Sequence, residues 1–85
     1  MAESKWIRFV DLGKIKGQST NIYEVVTKDE GFVIAEIKWY APFRKYSFFP
    51  SEMTVFETQC LSDIISFIKD LMEARHIEKQ ANKKV

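Results

Sequence analysis

The stretch from Thr20 to Tyr40, TNIYEVVTKDEGFVIAEIKWY, decides how this chain folds. Thr20 to Lys28 and Phe32 to Tyr40 are rich in β-branched and aromatic residues. Asp29-Glu30-Gly31 between them suits a type I turn closed by a left-handed glycine bulge, so the pattern predicts a β-hairpin. Counting outward from that three-residue loop sets Val25 opposite Ala35, Tyr23 opposite Ile37 and Asn21 opposite Trp39. These side chains share one face, which is expected to be the core face.

The flanking residues agree with that register. Ala41-Pro42-Phe43-Arg44 reads as a second turn with proline at its favoured second position, and a loop of those four residues sets Ile37 opposite Phe48 and Trp39 opposite Tyr46. Both pairs join the same face. Pro50 cannot donate to a sheet ladder, so the fourth strand is expected to end there. Upstream, Lys5 to Asp11 reads as the first strand, followed by a loop from Leu12 to Ser19 hinged on Gly13 and Gly17.

After a connector at Ser51 to Met53, Thr54-Val55-Phe56-Glu57 has capping-box spacing, with Glu57 and Thr58 as alternative caps, and the helix is expected to start near Thr58. On a helical wheel Leu61, Ile64, Ile65, Ile68, Leu71 and Met72 form one stripe flanked by Cys60 and Phe67, and apolar order stops at about the fourth turn. The expected architecture is α+β: a three- to four-stranded antiparallel meander packed on one C-terminal amphipathic helix. It is one domain over residues 5–77, with flexible ends at 1–4 and 78–85.

Composition narrows the function classes. With 85 residues, 46% of them hydrophobic, the chain can build one core without staples. Its apolar runs are too short to span a bilayer, and the charges within Met1 to Lys5 do not suit a signal peptide, so a cytoplasmic protein with no membrane partner is expected. A formal net charge of +1 gives no global drive towards nucleic acid.

The chemistry-bearing residues are few. One histidine, His76, sits in the expected tail, and one cysteine, Cys60, lies beside the helix stripe, where packing is its commonest use. Together they fall short of a zinc site, and Ser-His or Cys-His catalysis needs an imidazole held rigidly against its nucleophile, which a fraying tail does not provide. The three glycines form no phosphate-binding loop, although Lys14 and Lys16 between Gly13 and Gly17 offer two ammonium groups to an anion. The hairpin register sets Glu24 opposite Glu36. Two carboxylates on neighbouring strands are the sharpest enzymatic arrangement here, but a solvated pair compensated by Arg8, Lys38 or Lys45 is the more common outcome. No catalysis, metal or cofactor is expected.

The same register places Trp6, Arg8, Val10, Ile22, Glu24, Val26, Ile34, Glu36, Lys38, Tyr40, Ser47 and Phe49 on the face away from the helix. That face carries more apolar surface than a solvated sheet needs. A binding module is the leading expectation, with Trp6, Arg8, Lys38, Tyr40 and Phe49 as anchors for a protein partner or for self-association. The alternative is single-stranded nucleic acid stacked on the same aromatics. In a third arrangement Leu12, Ile15, Met53 or the early tail folds over this face and completes a second small core.

Glu36-Ile37-Lys38-Trp39-Tyr40 followed by Phe43-Arg44-Lys45-Tyr46-Ser47-Phe48-Phe49-Pro50 resembles the signature stretch of a group of small uncharacterised bacterial and phage-encoded proteins. The likeness extends from Lys5 through Thr54-Val55-Phe56-Glu57 and Cys60-Leu61 into the helix. It implies a bacterial or phage origin and a free-standing small domain, and it implies no activity.

Overall fold

The computed structural model describes residues 4–83, with side chains described as far as His76. Of the ends expected to be flexible, 1–3 and 84–85 lie outside the described residues, and 78–83 continue the C-terminal helix. Strands β1 (Ile7–Lys14), β2 (Asn21–Thr27), β3 (Val33–Tyr40) and β4 (Lys45–Pro50) form an antiparallel meander in chain order, followed by helix α1 (Thr58–Lys83). The α+β architecture is as the sequence predicts.

The central register matches the count from the hairpin: Val25 faces Ala35, Tyr23 faces Ile37 and Glu24 faces Glu36. The loop that sets it differs. Thr27 N–H donates to the Phe32 carbonyl at 2.9 Å and Phe32 N–H donates to Thr27 Oγ1 at 3.1 Å, which leaves Lys28 to Gly31 as a four-residue loop with Gly31 at φ +73°. The register shifts by one residue between Val25 and Val26, where Val26 pairs with Val33 and Ile34 is left over as a β-bulge. One extra loop residue and one extra strand residue cancel, so pairing beyond the bulge is unchanged. The bulge has a local consequence. Ile34, expected on the outer face, packs against the core, and Val26 is only 4% exposed.

A second bulge corrects the reading of β1. The strand runs on to Lys14, and Leu12 and Gly13 together stand opposite Ile22, since Asp11 pairs with Tyr23 and Lys14 with Asn21. Gly13 adopts φ +81°, which favours glycine, and its N–H donates to Asp11 Oδ1 at 2.8 Å. The glycine expected to start a loop instead bends an edge strand. The turn between β3 and β4 is the expected Ala41 to Arg44, closed by Tyr40 opposite Lys45, with Arg44 at φ +54°.

The core lies between the sheet and α1. Ile7, Val25, Ala35, Ile37 and Tyr46 from the strands meet Cys60, Ile64 and Phe67 from the helix. Phe67 stacks on Phe9 with ring centroids 4.1 Å apart and meets the Tyr23 ring edge-on at 5.1 Å. The buried stripe is therefore centred on Cys60, Ile64 and Phe67, which the wheel placed at the flank or within it, while Leu61 and Ile65 are 43% and 54% exposed. Wheel geometry ranks positions by hydropathy, whereas the two flat rings of Phe9 and Phe67 set the helix's rotation.

Glu57 caps the helix. Its Oε1 accepts the Cys60 N–H at 2.7 Å, and Leu61 N–H donates to the Glu57 carbonyl at 3.1 Å. Backbone N–H groups of Gln59 and Cys60 hold the Glu57 carboxyl below the ordinary carboxylate range, so its capping contribution is complete above that range and fades as pH falls through the lowered value. Thr54 does not complete a capping box, because its hydroxyl donates to the Ser51 carbonyl at 2.7 Å. Ser4, read from sequence as part of the leading tail, is buried, and its hydroxyl donates to Asp63 Oδ2 on the first turns of α1 at 2.6 Å.

Candidate functional site

Alternation along β3 and β4 sends Glu36, Lys38, Tyr40 and Phe49 to the face opposite the helix. Lys38 stands opposite Ser47, and the small serine leaves room for the Tyr40 ring to lean across to Phe49, with centroids 5.9 Å apart. Phe43, in the turn, meets Tyr40 edge-on at 4.8 Å. Lys38 Nζ lies 4.8 Å from the centroid of Phe49 and 3.3 Å from Glu36 Oε1. The result is a continuous aromatic strip, Phe43-Tyr40-Phe49, with one cation anchored beside it. Phe43 is 66% exposed and Tyr40 38%.

Nothing among the described residues folds over this strip. Leu12, Ile15 and Met53, the candidates for a second core, are each half-exposed or more. Glu24 and Glu36 face each other across β2 and β3 on this surface. Lys38 partners Glu36, as expected for a compensated surface pair.

The strip is part of a chain with a relative. Over 72 residues it is 35% identical to the "Uncharacterized 9.3 kDa protein" of Acholeplasma phage L2, covering 85% of this chain and 91% of that protein. The chain belongs to that protein's family. No family model matches it, and no solved structure matches it. Membership of this family of small phage proteins brings no activity with it, so function is argued from the geometry.

Of the five anchors expected from sequence, the fold brings Lys38, Tyr40 and Phe49 together and leaves two apart. Arg8 stands opposite Val26 on the edge strand β1, at the far side of the same face. Trp6 precedes β1 and lines a cleft with Ile34, Val55 and Cys60 at the helix's N-terminal end, where Lys5 Nζ lies 4.9 Å from the Trp6 ring centroid. Trp6 is outside any strand, so period-two alternation did not apply to it. Phe43 was missed because it sits in a turn, where no periodicity assigns a face. Its proximity to Tyr40 was legible only in the pairing of Tyr40 with Lys45.

His76 and Cys60 are more than four turns apart on α1, roughly 24 Å along its axis, so the fold does not pair them. Among the described residues no group of three or more His, Cys, Asp or Glu side chains converges as a metal site would require. No helix formed by these residues is long and apolar enough to cross a membrane. Burial, and then the Glu57 carboxylate, push the Cys60 thiol above its ordinary range. Only a thiolate attacks, so Cys60 is expected to react with iodoacetamide at pH 8 at least about tenfold more slowly in the folded protein than in urea. Equal rates in the two states, followed by mass spectrometry, would contradict this placement.

Proposed function

We propose that this protein is a non-enzymatic binding module that associates with protein through the outer face of its sheet. The strip of exposed Tyr40 and Phe43 running on to partly buried Phe49, with Lys38 held beside it, is the observation that carries this reading. Aromatic side chains with few rotamers offer large contact area at small entropic cost, and they dominate interface energetics. We read the segment Glu36 to Pro50 as the family's signature stretch, and it forms the hairpin that carries the strip.

The central row of the same face is acidic, with Glu24 opposite Glu36. Phosphates laid across it meet like charge, which disfavours nucleic acid relative to protein. Self-association is the first form to test. In light scattering over a concentration series, the parent is expected to show concentration-dependent dimer mass, and Tyr40→Ala with Phe43→Ala is expected to weaken the dimer by roughly tenfold or more without lowering the melting temperature. A parent monomeric at every concentration removes self-association. Tight binding of short DNA or RNA that collapses with salt would replace the protein reading with the nucleic-acid one.

A further inference from the structure

The end of the sheet where β1 and β3 finish carries cations that the outer-face reading does not use. On the inner side Arg75 lays its guanidinium over Trp39, with Cζ 4.4 Å from the ring centroid. Its Nε is buried, with no hydrogen-bond partner among the described residues. Beside it opens a cleft of about 220 Å³ lined by Trp39, Arg44, Met72, Arg75 and His76, with no acidic side chain among them.

Three features of this cleft converge on one chemistry. The guanidinium fork matches two oxygens of a phosphate or carboxylate, and stacking on Trp39 fixes its plane before any ligand arrives, so little further ordering is needed on binding. Arg44, at the end of the turn, brings a second permanent cation to the same cleft. Trp39 and Met72 form apolar walls, which strengthen charge-assisted contacts by reducing competing water. At this volume the cleft suits an oxyanion head and is smaller than the pockets that enclose a whole drug-sized ligand. Arg75 also borders a second cleft with Lys14, Ser19 and Asn21, but there Asn21 Nδ2 donates to the Asp11 carboxylate at 3.0 Å, and that negative charge opposes an anion.

We propose that the Trp39-Arg44-Arg75 cleft is an oxyanion site that takes the phosphate or carboxylate head of a ligand, with Arg75 and Arg44 as its binding residues and His76 at its rim. It stands independently of the outer-face reading, since the two surfaces lie on opposite sides of the sheet.

The chain has two tryptophans, so Trp6→Phe leaves Trp39 as the single reporter beneath Arg75. Trp39 emission is followed while inorganic phosphate, in one arm, or succinate, in the other, replaces chloride at constant ionic strength. A saturable change with a dissociation constant of about 1 mM is expected, weakened at least about tenfold by Arg75→Lys, which keeps charge but loses the fork, and by Arg44→Gly, which removes charge where the backbone favours glycine. Response to phosphate alone or to succinate alone supports the site and assigns its ligand, and response to both supports a general oxyanion site. The proposal is overturned by no saturation in either arm or by responses that both variants leave unchanged. Melting curves establish that each variant folds, and if Arg75→Lys does not, Arg44→Gly decides.

Discussion

Phe67→Ala is expected to cost about 3–5 kcal/mol of folding stability. Phe67 is 7% exposed, lies parallel to Phe9 with an interplanar angle of 6°, and meets Tyr23 edge-on, so its removal opens a cavity bordered by two strands and the helix. Rigid rings on β1 and β2 cannot collapse to fill it, which places the loss in the upper range for large-to-small changes. For a domain of this size each kcal/mol shifts the melting temperature by about 4–8 °C, so a fall of more than about 12 °C is expected by circular dichroism. Ile65→Ala is the informative control. The wheel places Ile65 within the apolar stripe, yet it is 54% exposed, so its truncation is expected to change stability by less than about 1 kcal/mol. Equal losses at the two positions would mean that the helix is rotated away from the Phe9–Phe67 stack.

Ile37→Ala is expected to cost about 2–5 kcal/mol. Ile37 is fully buried and stands between Tyr23 on β2 and Phe48 on β4, the central position of the inner face. β2 and β4 flank it, and backbone pairing on both sides prevents the sheet from settling into the space left behind. Urea denaturation is expected to show a lower midpoint with an unchanged slope, because the surface exposed on unfolding stays nearly the same. A loss below about 1 kcal/mol would place Ile37 outside the core and undo the register of both hairpins. Its neighbour Lys38 points the other way, so Lys38→Ala is expected to leave the midpoint nearly unchanged.

These contrasts show how much of the fold was readable in advance. Strand identity, the pairs Tyr23–Ile37 and Trp39–Tyr46, and the turn at Ala41 to Arg44 follow from local chemistry: β-branched and aromatic runs interrupted by Gly31 and Pro42. The two bulges were not readable. A bulge exchanges one ladder hydrogen bond for a bend, and the choice depends on strand neighbours distant in sequence. Asp11 stabilises the bend at Gly13 through its side chain, and Thr27 draws Phe32 into the first pair of the hairpin. The candidate site was partly legible for the same reason. Lys38, Tyr40 and Phe49 share a face because strand alternation is a local rule, while Trp6 lies outside a strand and Phe43 lies in a turn.

The amino-acid sequence alone determined the order of elements and, away from the bulge at Ile34, the inner and outer faces of the central strands. Alternation and turn propensity act over a few residues and need no partner. Tertiary structure decided the rotation of α1, the joining of Phe43 to Tyr40 and Phe49, and the stacking of Arg75 on Trp39. Each of these depends on how flat rings and long cationic side chains pack across elements, and that packing is settled only when the helix and all four strands meet.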